Sequence, residues 1–200
     1  MLLPTLLPDP PVATPEVLSL LFEPSPALHA LIASAISTST PSLALAGRAH
    51  PALHALISTP TSISPSPAEF LTYADLIEWT TSQILSLRRD DPRLLEILAS
   101  HPRLGEKKVD SEVSRKEQAS LSGGDKEDEG VRLSALNKRY EETFPGLRFV
   151  VFVNSRSRDE VMADMVARIE RGDIELEKVE AITAMRDIAL DRAAKFTVAL

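Results

Sequence analysis

Apolar residues recur along most of this chain at spacings of three and four, and the segments carrying them are bounded by proline, by capping residues or by both. In the first third the pattern predicts short helices over about Pro15 to Phe22, Pro26 to Ser37 and Pro51 to Ser58. Turns and extended pieces must separate them, because proline cannot sit inside a helix and pushes the residue before it out of the α region. Further on, Thr72 is placed to cap a helix carrying Leu76, Trp79 and Ile84, and a shorter helix spans Pro92 to Ser100. Ser114-Arg-Lys-Glu117 has the capping-box pattern, and a Gly- and acid-rich loop is expected from Ser122 to Gly130. Val131 to Thr143 reads as a helix with Leu133, Leu136 and Tyr140 on one side. Ser157 starts another, to about Arg171, and Asp173 caps the last, which runs towards Phe196. The one strong strand signal, Phe149-Val-Val-Phe-Val153, has no partner strand, so it is expected as a buried extended connector between helices or as one helical turn. The expected fold is all-α, a single-domain helical bundle over residues 1–200 with short Pro-separated helices in its N-terminal third.

Composition sharpens the organisation. The first 68 residues hold four charged groups, Asp9, Glu16, Glu23 and Arg48, and 12 of the 15 prolines, so the character of the chain changes near Glu69. Residues 1–14 read as an extended arm and 58–67 as a Pro/Ser-rich connector. An Ala-Leu-His-Ala-Leu-Ile element occurs twice, within 25–32 and 50–57; two copies do not make a solenoid. The formal net charge of -7 argues against nucleic acid and anionic membranes as partners. No cysteine is present, which excludes disulfides, thiol nucleophiles and thiolate metal sites. The N-terminus lacks a basic region and is broken by Pro4 and Pro8, so it is a poor secretory signal; Thr197-Val-Ala-Leu200 is not a Ser-Lys-Leu type tail, and the cytoplasm is the default address.

The sequence has no nucleophile elbow, no dinucleotide fingerprint and no His-Glu-x-x-His. His50 and His54 are four apart, but the intervening glutamate is missing and no metal site is expected. His101 follows a short apolar helix whose carbonyls would favour imidazolium, and Pro102 fixes its direction; it reads either as a proton donor or as a helix cap. Glu117 reads first as the carboxylate of its own capping box, with Gln118 a first-turn polar group beside it. The last helix carries a buried stripe of Val179, Ile182, Met185, Ala189 and Phe196, and Arg192 falls in the gap of that stripe. A guanidinium aimed at a core needs an anion, either an internal carboxylate or that of a ligand, unless its stem snorkels to the surface. Arg156 and Arg158, just before a helix start, are expected to be solvated.

Five segments, taken in order, resemble the OHCU decarboxylases (2-oxo-4-hydroxy-4-carboxy-5-ureidoimidazoline decarboxylases) of urate and purine catabolism. They are Ser100-His-Pro-Arg-Leu-Gly105, Ser114-Arg-Lys-Glu-Gln118, Leu136-Asn-Lys-Arg-Tyr140 with Phe144, Phe149-Val-Val-Phe-Val-Asn-Ser-Arg-Ser157 and Ile188-Ala-Leu-Asp-Arg192. The match covers roughly residues 68 to 198, with a weaker echo in Leu20-Leu-Phe-Glu-Pro-Ser-Pro26. The resemblance implies an all-helical homodimer that needs no cofactor and no metal. It implies catalytic roles for His101, Glu117 and Arg192, and substrate-lining roles for Pro102, Ser114, Gln118 and the stretch Phe149, Val151 and Val153. Relatives are often peroxisomal. The chain departs from the pattern in residues 1–68, in a shorter loop between His101 and Glu117, and in Phe144-Pro-Gly-Leu-Arg-Phe149, which is one residue longer than usual and similar to the fungal branch.

The expected reaction is decarboxylation of the small-molecule substrate OHCU to (S)-allantoin. A cofactor-free enzyme needs a substrate that can delocalise the electron pair left on carbon, and the conjugated imidazoline ring does so. Arg192 would hold an anionic or oxygen-bearing part of the substrate, and His101 paired with Glu117 would move the proton. The alternative from another class is a catalytically inactive helical interaction module using its Pro-rich third for docking; a related amidohydrolase would need a nucleophile or metal that the sequence does not offer.

Overall fold

The computed structural model describes residues 7–39, 70–105 and 126–197. The expected helix over Pro51 to Ser58, the 58–67 connector, His50 and His54 lie outside these. Among the described residues there are seven α-helices and no strand: α1 (Pro15–Phe22), α2 (Pro26–Ser39), α3 (Tyr73–Leu85), α4 (Pro92–Leu98), α5 (Lys126–Thr143), α6 (Arg158–Arg171) and α7 (Ile174–Thr197).

The boundaries have local causes. Thr14 caps α1, and Pro15 occupies its first position, where a missing N–H costs nothing. Thr72 and Asp75 close a capping box on α3, and Ser157 and Glu160 close another on α6. Gly172 ends α6 in the left-handed conformation at φ 64°, and the Asp173 carboxylate then accepts from the backbone of Glu175 and Leu176 to start α7. Two expectations need correction. Helix α4 stops at Leu98, two residues early: Ala99 still makes a helical bond to the Leu95 carbonyl, but Ser100 closes a tighter i→i−3 turn onto Ile97. Helix α5 begins at Lys126, inside the loop expected from Ser122 to Gly130; a Cβ at Gly130 would meet open space, and a mid-helix glycine costs only about 1 kcal/mol.

Helix α7 is the spine of the molecule, packing against α3, α1 and α4, while α2 lies on α3 and α4 and α5 lies on α6. Its stripe is as patterned: Ile182, Met185 and Ala189 are buried, Val179 and Phe196 half-buried. Residues 7–14 are non-helical and lie over this core, with Pro11 buried and the Tyr73 hydroxyl donating to the Pro8 carbonyl. Phe149 to Val153 is an extended connector, held without a sheet. The Val150 carbonyl accepts from Arg168 Nη1 at 3.1 Å, and the Arg168 guanidinium stacks over the Phe149 ring at 4.6 Å. No described helix is long and apolar enough to cross a membrane.

Candidate active site

The turn between α1 and α2 determines what α7 meets. Pro24 bars Glu23 from continuing α1, and Ser25 starts α2 by accepting the Leu28 N–H on its hydroxyl at 3.4 Å and the His29 N–H on its carbonyl. Glu23 between them takes φ 78° and ψ 155°, a region almost reserved for glycine that costs an ordinary residue about 1–3 kcal/mol. In that conformation its carboxylate is buried, 1% exposed, and accepts from Arg192 Nη2 at 2.5 Å. Arg192, also 1% exposed, donates through Nη1 to the carbonyls of Leu21 at 3.2 Å and Leu20 at 3.4 Å. The last turn of α1 thus grips one edge of the guanidinium. Of the readings open for Arg192, the internal carboxylate is present; the stem does not snorkel.

His101 reaches the same place from α4. Its carbonyl accepts from Arg148 Nη1 at 3.0 Å, and the Leu104 carbonyl accepts from Asn137 Nδ2 at 2.9 Å. Arg103 forks onto Glu141 with bonds of 2.5 and 2.8 Å, so the segment after His101 is fastened to α5. Gly105 closes the turn at φ 78°, where a Cβ would fall 2.5 Å from the Leu133 side chain.

The His101 ring is 5% exposed, and neither nitrogen has a hydrogen-bond partner among the described residues. Burial pushes its pKa down from the usual value to about 4; the charge of Glu23 pulls it up and that of Arg192 pushes it down, so the three groups share one electrostatic environment. This corrects the expectation of an imidazolium held by helix carbonyls. The Leu95 and Ile97 carbonyls accept from Ala99 and Ser100, and burial keeps His101 neutral at pH 7, holding one unspent donor and one unspent acceptor.

The structure therefore brings His101 and Arg192 together and adds Glu23, which the sequence reading placed only in a weak echo. The available signal was that Glu23 is one of four charged residues in the first 68, set in an apolar run, while Arg192 lacked a named anion. Pro102 is half-buried beside His101. Phe149 is buried against Tyr140, with ring centroids 5.4 Å apart, and is tied to the site through its neighbour Arg148. Val151 and Val153 are half-buried; both line a cleft of about 590 Å³ that also includes Ile188 and Asp191, on the α7 turn before Arg192. Ser114, Glu117 and Gln118 lie outside the described residues. Arg156 is not simply solvated, since it pairs with Asp164 at 3.1 Å. Among the described residues no group of three or more His, Asp or Glu is placed to hold a metal.

A second buried polar cluster braces the connector. Glu177, fully buried on α7, accepts from Arg168 Nε at 3.0 Å, from Arg171 Nη2 at 3.1 Å and from the Tyr140 hydroxyl at 2.5 Å. Burial and this carboxylate hold the Tyr140 phenol well above its usual pKa, so it stays a donor.

The sequence model of the OHCU decarboxylase family matches residues 10–194. No curated protein matches. Among solved structures, the chain is similar to one titled "Crystal structure of (S)-allantoin synthase", at 18% identity and a TM-score of 0.54. The match covers 90% of this chain and 48% of that one, so the chain spans about half the length of the structure it matches. At this identity the likeness establishes the helical fold.

Proposed function

Because the chain belongs to the OHCU decarboxylase family, we propose that it converts 2-oxo-4-hydroxy-4-carboxy-5-ureidoimidazoline to (S)-allantoin and carbon dioxide without a cofactor. The observation that carries this reading is His101, a buried neutral imidazole with both ring nitrogens unspent, standing in the field of the Arg192–Glu23 pair.

The steps follow from those residues. Arg192 receives the carboxylate or a ring oxygen of the substrate, and the surrounding apolar core excludes water from the departing group. The bond between ring carbon and carboxylate breaks, carbon dioxide leaves, and the electron pair moves into the conjugated imine, whose nitrogen takes a proton from solvent. His101 accepts the hydroxyl proton and returns it to one face of the adjacent ring carbon as the hydroxyl becomes a carbonyl. A neutral imidazole suits this order, since it must accept before it gives. Glu117 is assigned to hold the imidazolium formed in between, and Pro102, Ser114, Gln118, Phe149, Val151 and Val153 to line the substrate. The protein works as a homodimer in this reading, which sedimentation tests, and in the cytosol or, as for relatives, the peroxisome.

The test is to generate the substrate in place from urate with the two preceding activities and follow its loss. The protein should accelerate decay well above the spontaneous rate with carbon dioxide released; a folded protein that leaves the rate unchanged would overturn the reading.

A further inference from the structure

Glu23 takes no part in the chemistry above, yet the backbone is strained to bury it. A buried ion pair is poor value as stabilisation, because removing both charges from water offsets most of their attraction. A backbone strained at a buried charge points instead to a site. The contacts are asymmetric in an informative way: Leu20, Leu21 and Glu23 are three acceptors from one corner of chain, and all three bind the two Nη nitrogens of Arg192. A carboxylate and two carbonyls together fix both the plane and the direction of a guanidinium, which a single carboxylate would leave free to swing.

We propose that Glu23 is a positioning residue, which fixes the Arg192 guanidinium for the substrate's carboxylate and balances its charge beside His101. This rests on the decarboxylase reading. Glu23 and Arg192 act on the imidazole in opposite senses, so losing the Glu23 charge would leave the guanidinium to drive its proton affinity lower still. Arg192 then contributes directed hydrogen bonds at modest net charge, and the strained corner at residue 23 is what brings the carboxylate to it.

Steady-state kinetics of Glu23→Gln, Glu23→Asp, Arg192→Lys and the Glu23→Gln/Arg192→Lys double variant test this. Glu23→Gln keeps the shape and loses the charge; its KM should rise about tenfold or more, the range lost with a charge-assisted hydrogen bond. Glu23→Asp should recover part of that rise, and in the Arg192→Lys background Glu23→Gln should add nothing, because it acts through Arg192. KM does not depend on how much enzyme is folded, so an unchanged KM with a lowered Tm would overturn the proposal and leave Glu23 a structural residue. If Glu23→Gln does not fold, Glu23→Asp decides, its KM raised by the shortened stem or not. A wild-type protein without activity overturns the decarboxylase reading and this proposal with it; an active wild type with KM unmoved overturns this proposal alone.

Discussion

At His101, burial that excludes water also sets the protonation state. The folded protein holds the imidazole neutral down to about pH 4, whereas the unfolded chain protonates it near its ordinary value of about 6.5. Between those two values the unfolded state binds more protons, so folding stability falls as pH is lowered through the window and is unaffected by this group above it. Urea unfolding at pH 7 and pH 5 should show the wild type losing about 2 kcal/mol through this group, and His101→Asn should lose less over the same interval. Equal losses would mean that the ring is not buried as described. Arg192→Lys keeps the charge but cannot reach the Leu20, Leu21 and Glu23 acceptors as a fork, so kcat/KM should fall at least tenfold. Unchanged kinetics would make Arg192 only half of an internal salt bridge.

Among the elements, α7 does most to hold the connector and the site in register, since it carries Glu177 at one end and Arg192 near the other. Glu177 is the only carboxylate that Arg168, Arg171 and Tyr140 share among the described residues, and its loss leaves the buried Arg168 facing only the half-exposed Glu180 carboxylate, at 3.2 Å. Glu177→Gln should cost about 3 kcal/mol or more in denaturant unfolding. Tyr140→Phe leaves both arginine contacts in place and should cost about 1 kcal/mol. A reversed order would show that the phenol, not the ion pair, holds α5, α6 and α7 together. These costs explain how Phe149 to Val153 stays extended without a sheet: Arg168 bonds the Val150 carbonyl and covers the Phe149 ring, doing what a neighbouring strand would otherwise do.

Most of the helices were legible because their ends are marked by residues with one good use: proline at a first position, Thr72 and Ser157 as caps, Gly172 as a stop. The run at 149–153 looked like a strand because Val and Phe report burial on a pleated surface, and only the missing partner argued otherwise. The site was legible in part. Arg192 stood out because it breaks an apolar stripe, and His101 because a proline follows it. Glu23 did not, since its significance depends on a corner of chain at positive φ and on a partner 169 residues away, neither of which leaves a local pattern. The protonation of His101 is illegible in the sequence for the same kind of reason: helix position suggests imidazolium, whereas three-dimensional burial decides for the neutral ring.

At the scale of the whole molecule, the described helices form a frame that sets a neutral buried imidazole from the middle of the chain in the field of a guanidinium from its last helix, oriented by a carboxylate from the turn after α1. The most direct test is circular dichroism of allantoin formed from substrate generated in place, with wild type and His101→Asn compared at equal folded concentration. The wild type should give a rapid one-handed signal, and His101→Asn should lose at least a hundredfold in rate, the usual scale of a proton-transfer group. One-handed allantoin formed as fast by His101→Asn would contradict the account.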